Sequence, residues 1–424
     1  MPMNILMLSH SDSGGGAAIA ARRLQQGLRA LGEDVRMLVR RRTDPNETVA
    51  GPSRRTSRLV DAVRFRLDKI PLLAYSRRDG TPFSPQWLPD RLLSRIQRFR
   101  PDIVNVHWIG HGFVHPATLA RIKLPIVWTL HDVWPFTGGC HVNLGCTRFQ
   151  SNCGACPRLG SNRERDLSRT VWRRKRRSWS RLDVTLVAPS TWMADAASRS
   201  TLFRDRRIEV IANGLDTNRF RPGDRRQSRA RFNLPQDKML ILLAAAAGRR
   251  VPHKGYDLLE ASLRRLETIR GLRGRIELVL AGRSVKAGSI HTGLRVSALG
   301  ALGDEDSMAA LYAAIDVTVV PSRQESLGMV AVESLACGTP VVAFDTAGVH
   351  DVVDHQQNGF LADPFSAEGL ASGVQWVLED ADRYRRLCHA GRAKALRTFD
   401  LEHQVARYRT IFRELLADKH RTSV

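Results

Sequence analysis

The sequence predicts an α/β protein made of two domains, each a parallel β-sheet wrapped by helices. The chain has 424 residues, which exceeds the usual size of one core. Short apolar runs alternate with helical segments, as parallel sheets require, and this alternation begins again in the second half. The hydrophobic content of 43% is typical of a globular protein. No apolar run approaches the length of about 18 residues that a membrane span requires.

Strands are predicted where apolar runs lie between turn residues, and helices where apolar positions recur at helical spacing. The predicted strands of the first half are Asn4–Leu8, Val35–Val39, Ile103–His107, Ile126–Leu130 and Val184–Ala188. Those of the second half are Glu209–Ala212, Met239–Ala244, Ile276–Ala281, Val317–Pro321 and Val341–Phe344. Predicted helices include Tyr256–Ile269, Asp306–Ala314 and a final helix at Leu401–Ala417. Residues 43–90 have weaker periodicity, which indicates a variable loop and helix region.

The most informative segment runs from Pro321 to Val342, where two carboxylates bracket a predicted helix start. Glu325 lies in the loop ahead of the apolar run Met329–Ala336, and Glu333 lies about two turns further on. The first amides of a helix lack internal partners and attract phosphate, since they form the positive end of the dipole. Glu333 is placed to accept hydrogen bonds from a ribose, and Glu325 to stand beside a sugar. The phosphate-binding amides are those of Ser326, Leu327, Gly328 and Met329.

Two glutamates separated by seven residues and followed by Ala-Cys-Gly-Thr-Pro-Val-Val-Ala resemble the donor-site signature of retaining glycosyltransferases of family 4. That family has the GT-B fold, in which two Rossmann-like domains face a central cleft. Other stretches resemble the family in the same order, namely Met3–Gly32, Val187–Trp192, Ile211–Pro222 and His253–Leu258. The resemblance implies an acceptor-side domain at 1–207 and a sugar-nucleotide domain at 208–400. It also implies a helix at 401–424 that packs back on the first domain.

The resemblance further implies transfer of a sugar from a nucleoside diphosphate sugar to a hydroxyl acceptor, with retention of the anomeric configuration. We expect a glycan or a lipid-linked oligosaccharide of exopolysaccharide or cell-envelope synthesis as the acceptor. Glu325 and His131 receive catalytic roles at the donor sugar, and Lys254 and Arg249 bind its diphosphate. Gly15 and Gly16 belong near the donor phosphates and the acceptor. A sugar-nucleotide epimerase of the same fold is the nearest alternative, because it needs the same diphosphate site but no acceptor.

Several of these residues also fit a different role. Three adjacent glycines at 14–16 allow close approach of a dinucleotide, but Arg40–Arg42 stand where an acidic ribose ligand is expected, which leaves only an NADP-type pocket. Lys254 is otherwise an exposed loop lysine. Arg249 is preferred to Arg250, although the spacing of the run before them departs from the family pattern.

His131 follows a predicted strand, at the end of a sheet where open α/β sheets bind ligands. Asp132 either orients His131 or caps the following turn. His107, at the end of another strand, is expected to be a packed residue without a role. Asp304-Glu-Asp306 resembles a metal-binding acidic motif, but it precedes a predicted helix and is better explained as its cap. We therefore expect no catalytic metal.

Four of the six cysteines lie close together in the sequence, at Cys140, Cys146, Cys153 and Cys156. In a reducing compartment such a cluster favours structural zinc over disulfides. Free or redox-active thiols remain an alternative, and His141 is a possible substitute for one ligand. The cluster follows His-Asp-x-Trp and resembles a subgroup of the family associated with exopolysaccharide synthesis.

The formal charge of +24 favours anionic partners of any kind. Basic residues concentrate at Arg54–Lys69, Arg91–Arg100 and Arg163–Arg181, all in the first half. We expect this half to face an anionic membrane surface, while a solvated helix face also accounts for the charge. No secretory leader is evident, so a cytoplasmic protein, peripheral on the inner membrane face, is expected. A zinc-bearing nucleic-acid-binding protein would leave both glutamates unexplained, so no nucleic-acid partner is expected.

Overall fold

The computed structural model describes residues 2–52, 55–244, 251–282, 288 and 290–422. The chain divides into two compact units, Met1–Gly214 together with Leu401–Val424, and Leu215–Asp400. The strand predicted at the start of the second half belongs instead to the first sheet, where Ile208–Val210 pairs with Thr185–Ala188. The N-terminal part of the first unit thus extends to residue 214, seven residues beyond the predicted boundary at 207.

The first unit contains a parallel sheet of seven strands. In chain order they are β1 (Asn4–Ser11), β2 (Asp34–Arg41), β3 (Val49–Ala50), β4 (Ile103–Val106), β5 (Ile126–Thr129), β6 (Thr185–Ala188) and β7 (Ile208–Val210). Their order across the sheet is β3-β2-β1-β4-β5-β6-β7, which is the doubly wound arrangement with its switch point between β1 and β4. The core strands carry almost uninterrupted apolar runs because helices cover both faces of the sheet.

Seven helices belong to the described part of the first unit. They are Gly16–Ala30, Arg55–Asp68, Leu92–Arg98, Pro116–Ala120, Leu167–Trp179, Thr191–Ser198 and the C-terminal helix Leu401–Thr422. The C-terminal helix buries Val405, Tyr408 and Phe412 in the core that β1 and Gly16–Ala30 share. A Cβ atom on Gly27 would come within 2.4 Å of Val405 Cγ2, so the small residue permits this close approach.

The second unit contains a parallel sheet of six strands. These are β8 (Met239–Ala244), β9 (Ile276–Ala281), β10 (Val296–Gly300), β11 (Val317–Val320), β12 (Val341–Phe344) and β13 (Gly359–Ala362), in the order β10-β9-β8-β11-β12-β13. Its helices are Arg225–Arg231, Tyr256–Leu266, Glu305–Ala314, Met329–Ala336, Ala367–Leu378 and Ala381–Thr398. The switch point lies between β8 and β11.

Within the described residues, no helix combines the length and apolar character needed to cross a membrane.

Candidate functional site

The loop after β11 forms the centre of the candidate site in the second unit. Helix Met329–Ala336 begins as predicted, after Gly328, whose φ of +97° is left-handed. A Cβ atom on Gly328 would lie 3.3 Å from Val349 Cγ2, so backbone conformation and packing both favour glycine. No side chain of the described residues caps this helix start. Its first amides, at Ser326 to Met329, are therefore suited to an anionic ligand.

Two loops meet at the switch point of the second sheet. The Lys254 loop follows β8, and the Glu325 loop follows β11, the neighbouring strand. Gly255 is so close to the second loop that a Cβ atom there would lie 1.8 Å from the Pro321 carbonyl oxygen. Open parallel sheets bind ligands at such a place, beyond the carboxyl ends of their strands. The topology therefore brings a lysine and a glutamate from distant parts of the sequence together.

Lys254 and Glu325 form an ion pair, with 2.6 Å between Lys254 Nζ and Glu325 Oε1. Their side chains are 30% and 20% exposed, so the pair is partly desolvated but accessible to a ligand. Burial acts to raise the pKa of Glu325, but the charge of Lys254 and hydrogen bonds from Lys254 and Ser322 outweigh it and lower the pKa. Glu325 is therefore ionised at neutral pH. The ammonium has three donors, so Lys254 can bind a phosphate oxygen while it remains paired.

A second ion pair, which the sequence does not predict, holds the Lys254 loop in place. The Arg323 guanidinium donates to both carboxylate oxygens of Asp257, at 2.9 and 2.6 Å, and to the Pro252 carbonyl oxygen at 2.8 Å. The Arg323 backbone N–H donates to the His253 carbonyl oxygen at 2.7 Å. Arg323 therefore ties the Lys254 loop to the Glu325 loop. Nothing in the spacing of Asp257 and Arg323 along the chain signals this pairing.

Glu333 lies within the helix that begins at Gly328 and is partly exposed. The hydroxyl of the buried Tyr312 donates to Glu333 Oε2 at 3.1 Å, which orients the carboxylate. A carboxylate has further acceptor positions, so ribose hydroxyls can still bind it. His253 is another residue that the sequence does not single out: its Nδ1 is buried without a hydrogen-bond partner among the described residues. Arg249 and its alternative Arg250 lie outside the described residues, so their role stays a prediction.

In the first unit, His131 is held by a chain of buried polar groups. Its Nε2 lies 2.9 Å from His107 Nδ1, and His107 Nε2 lies 2.8 Å from Asn105 Oδ1. The Asn105 amide nitrogen donates to the Val127 carbonyl oxygen at 3.0 Å, which leaves Oδ1 as the acceptor toward His107. Burial lowers the pKa of His131 to about 4 and that of His107 well below its usual value. Both rings are therefore neutral at physiological pH.

These contacts assign the tautomers of the two histidines. His107 donates through Nε2 to Asn105, so its Nδ1 is an acceptor. His131 must then donate through Nε2 to His107, which makes its own Nδ1 the acceptor atom. His107 is buried at the end of β4, as predicted, and its ring also contacts the ring of His131.

Asp132 does not serve mainly to orient His131. One carboxylate oxygen accepts the backbone N–H of Trp134 at 2.8 Å and caps the following turn. The other accepts from the indole of Trp108 and from His141 Nδ1, the latter at 2.6 Å. His141 Nε2 in turn lies 2.6 Å from the hydroxyl oxygen of Ser84. Both nitrogens of His141 are thus engaged, which argues against His141 as a metal ligand.

Gly15 and Gly16 open the helix Gly16–Ala30, directly after β1. Neither residue has a left-handed backbone, and an added Cβ atom would meet no atom within 4 Å at either position. Packing within the described chain therefore does not explain these glycines. The open space agrees with the prediction that a ligand approaches this backbone, and their role stays a prediction.

A cavity of about 570 Å³ lies where β1 and β2 end. Its lining includes His10, the three arginines of Arg40–Arg42, and Phe65 from helix Arg55–Asp68. His10 Nδ1 is buried without a hydrogen-bond partner among the described residues, and burial lowers the pKa of His10 to about 4. The arginine run is evident in the sequence, but the cavity is not. Its lining also includes Asp61, but the arginines outnumber this carboxylate, so the cavity suits an anionic ligand.

The four clustered cysteines line one cavity of about 20 Å³. All six cysteines are free thiols. Burial raises the pKa of Cys153 to about 12 and those of Cys140 and Cys156 above the usual value. Across the residues that the structure describes, no three His, Cys, Asp or Glu side chains stand at a geometry that holds a metal ion. Zinc at this cluster stays a prediction.

The acidic motif at 304–306 has a structural explanation. Asp304 is the N-cap of helix Glu305–Ala314, and its Oδ1 accepts the Ser307 N–H at 2.6 Å. Arg219 pairs with the next two acidic residues, Glu305 and Asp306. The predicted capping role is confirmed.

Two family models match consecutive parts of the chain: Glycosyltransferase Family 4 over residues 14–219, and Glycosyl transferases group 1 over residues 224–394. A curated relative, the D-inositol 3-phosphate glycosyltransferase of Thermobispora bispora, is 32% identical over 228 residues, which make up 51% of this chain and 52% of the relative. The chain thus spans about half the length of the curated relatives it matches.

Solved structures cover nearly the whole chain. Sucrose-phosphate synthase from Thermosynechococcus elongatus matches with a TM-score of 0.69 and 22% identity, over 98% of this chain and 99% of its own. Anabaena Alr3699/HepE in complex with UDP and glucose matches with a TM-score of 0.68 and 19% identity, over 97% of this chain and 100% of its own. This likeness confirms the predicted fold class, two parallel-sheet α/β domains of the GT-B type.

Proposed function

Because the chain carries a Glycosyltransferase Family 4 domain followed by a Glycosyl transferases group 1 domain, we propose that the protein is a retaining glycosyltransferase that uses a nucleoside diphosphate sugar. The Lys254–Glu325 pair carries this proposal. It stands beside the uncapped start of helix Met329–Ala336, at the switch point of the second sheet. A cation, a carboxylate and helix-start amides at one place match the diphosphate and hydroxyl groups of such a donor.

Each residue has a distinct part in holding the donor. The helix-start amides and Lys254 bind the diphosphate, with Arg249 as a further cation. Glu325 accepts hydrogen bonds from the sugar hydroxyls, and Glu333 accepts them from the ribose. Charge that develops on the departing diphosphate meets groups already fixed in place by Arg323 and Asp257, which is electrostatic preorganisation. The solved structure of Anabaena Alr3699/HepE with UDP and glucose supports this class of donor.

The reaction breaks the bond between the sugar and the diphosphate and forms a glycosidic bond to the acceptor oxygen on the same face of the ring. The proton of the acceptor hydroxyl passes to the departing diphosphate. We assign His131 a catalytic role in this transfer, as the family resemblance implies. The positive charge comes from protein groups, so we propose that transfer needs no catalytic metal.

Donor binding and turnover test this proposal. Thermal-shift screening against UDP-, GDP-, ADP- and dTDP-sugars should identify the donor, since a ligand that binds only the folded state raises the unfolding temperature. With that donor, Lys254→Ala and Glu325→Gln should each lower kcat/KM by roughly 100-fold, because each removes a charge aligned with the reacting groups. Added Mg²⁺ or Mn²⁺ should not raise turnover.

Surface residues provide matched controls. Arg264→Ala and Glu368→Gln change exposed residues of the second unit and should leave turnover unchanged. Unchanged turnover in Lys254→Ala or Glu325→Gln would remove that residue from the donor site. Product analysis without an acceptor separates transfer from epimerisation, because only an epimerase would convert the donor on its own.

We propose that the acceptor is lipid-linked and anionic, with its phosphate group in the cavity beside Arg40–Arg42. The cavity offers the charge and size for a phosphate and the first sugar units, and the orphan His10 Nδ1 supplies one more polar contact. Helix Arg55–Asp68 forms one wall of this cavity through Asp61, Ala62 and Phe65. The opposite side of the same helix carries exposed apolar side chains, along which the lipid chain of such an acceptor would lie.

Helix Arg55–Asp68 and the turn after it expose an unusual group of apolar side chains. Leu59 is 67% and Leu73 is 79% exposed. The group, here called the 59–73 surface, consists of Leu59, Val60, Val63, Leu67, Ile70 and Leu73. Exposed Arg66 and Lys69 lie among them. Apolar side chains interleaved with cations are typical of segments that lie on an anionic bilayer, so we propose that this surface docks on one.

Vesicle co-sedimentation tests the docking surface. The protein should bind vesicles of phosphatidylglycerol and phosphatidylcholine more strongly than phosphatidylcholine alone, and salt should weaken the binding. The combined change Leu59→Ser, Val60→Ser and Leu73→Ser should abolish vesicle binding but preserve transfer to a detergent-soluble acceptor. Leu31→Ser, at another exposed leucine of the first unit, is the control. Equal binding by the triple variant and the wild type would contradict this assignment.

A further inference from the structure

The segment between Thr137 and Asp166 lacks helices and strands apart from short 3₁₀ turns at Arg148–Gln150 and Pro157–Leu159. Part of it packs with Leu72 and Phe83 in a small apolar cluster through Cys140, Cys156 and Leu159, and Phe149 and Cys153 pack in the main core of the first unit. A long segment without regular secondary structure depends on such separate contacts for its order. A cross-link within the segment would provide a further constraint.

Four thiols converge inside this segment. Cys140, Cys146, Cys153 and Cys156 line the same cavity, and three of them are buried. The Gly138 N–H donates to Cys153 Sγ at 3.1 Å. Backbone donors directed at sulfur stabilise a thiolate and are a common second shell of metal-bound cysteines.

A buried lysine lies beside the thiols. Lys175 is completely buried, and its ammonium donates to the carbonyl oxygens of Trp134 and Thr137. No ion pair of Lys175 with a carboxylate occurs among the described residues. Cys140 and Cys153 lie within electrostatic range of the ammonium, as does Asp132, which already binds His141. Burial lowers the pKa of Lys175, and metal-bound thiolates at this distance would favour its charged form.

We propose that Cys140, Cys146, Cys153 and Cys156 together bind one structural Zn²⁺ ion. Each thiol releases one proton to solvent and forms one bond to zinc, and the positive charge of Lys175 partly offsets the resulting anionic centre. Four sulfur ligands leave no open coordination position, so the ion does not take part in transfer. The thiols must turn about χ1 toward their shared cavity to reach tetrahedral geometry. The ion anchors the segment between Thr137 and Asp166. It has no part in binding the donor.

Metal analysis of the full-length protein, purified without chelators, tests the proposal. We expect one zinc per chain in the wild type and in the control Cys388→Ser, whose thiol lies in the second unit. Cys153→Ser and Cys156→Ser should lose most of the zinc. In the cobalt-substituted protein, a thiolate-to-metal charge-transfer band and intense visible bands should show tetrahedral sulfur coordination.

If the variants fail to fold, the wild-type protein still allows a test. Titration with an organic mercurial should release zinc to a coloured indicator as these thiols, and not Cys337, are modified. A folded wild type that holds no zinc would overturn the proposal. Equal zinc content in Cys156→Ser and the control would show that binding is adventitious and would overturn the proposal. Disulfides detected in the intact mass of the native protein would also overturn the proposal.

Discussion

At His107, a buried imidazole determines which nitrogen of His131 carries the proton. The chain of contacts starts at Asn105 Oδ1, which accepts from His107 Nε2 at 2.8 Å. The sequence alone does not reveal it, because His107 and His131 lie on different strands and only the parallel pairing of β4 with β5 makes them neighbours. A histidine at a strand end is predictable from sequence, whereas its tautomer depends on the partner across the sheet.

We predict that His107→Leu lowers kcat by roughly 100-fold, because the catalytic role proposed for His131 requires the orientation and tautomer that His107 imposes. His107→Asn should restore part of the activity, since its amide oxygen can replace Nδ1 as the acceptor from His131. Steady-state kinetics and the pH profile of kcat should be measured for both variants. If His107 only fills space, the two variants will share the wild-type pH profile, and the amide will give no rescue over leucine.

Buried neutral histidines also make stability depend on pH. Burial lowers the pKa of His10, His131 and His253 to about 4. In an unfolded chain histidine has a pKa of about 6.5, so below that pH only the unfolded state gains protons. The free energy of unfolding should therefore be greatest above pH of about 6.5 and fall as the pH drops toward about 4.

Urea unfolding at about pH 7.5 and about pH 5 measures this dependence, in a range where carboxylates contribute little. His10→Gln should reduce the difference between the two midpoints, whereas His389→Gln, at an exposed histidine, should not. Identical midpoints at the two pH values in the wild type would contradict the burial of neutral histidines.

At the scale of single elements, the start of helix Met329–Ala336 depends on a glycine in a left-handed conformation. Gly328 has a left-handed backbone and contacts Val349 closely, so Gly328→Ala should destabilise the protein by about 1–2 kcal/mol. It should also weaken donor binding, because the amides ahead of the helix change direction. Chemical unfolding and donor titration check both effects. Gly271→Ala, where an added Cβ atom meets nothing, is the control and should change neither.

Elements with strong apolar patterns were predicted well, whereas three of the four outer strands in the described sheets were not. Met239–Ala244, Ile276–Ala281 and Val341–Phe344 have the predicted bounds, because both faces of these strands are buried and the apolar run is continuous. The strands β3, β10 and β13 were not predicted, and all three are outer strands of the two sheets. An outer strand packs on fewer neighbours and needs fewer apolar residues, so its pattern is weaker.

At the scale of the whole molecule, the first unit depends on the last residues of the chain. Phe412 is fully buried in its core, and the Tyr408 hydroxyl lies 2.8 Å from Thr129 Oγ1 of β5. Phe412→Ala should destabilise the first unit by about 3–5 kcal/mol through the cavity it leaves. Leu396→Ala, at a side chain that is already 44% exposed, should have a small effect. Chemical unfolding followed by tryptophan fluorescence measures the difference, and equal losses in both variants would contradict this packing.

The residues of the candidate site were predictable where they lie close together in the sequence. Glu325 and Glu333 lie on one loop and one helix, so their spacing is visible in the sequence. Arg323 with Asp257, and His107 with His131, act in pairs that only the folded sheets bring together. The cavity beside Arg40–Arg42 was not predictable for the same reason, since its walls come from separate segments.

The return of the C-terminal helix to the first unit affects how the protein is made. During synthesis the ribosome releases the first unit's sheet early, but Val405, Tyr408 and Phe412 emerge only after the whole second unit. Until then the nascent chain exposes the apolar groove that these residues cover. The unit translated first is thus completed only after the intervening unit has emerged, and its uncovered apolar surface favours chaperone binding until this helix follows.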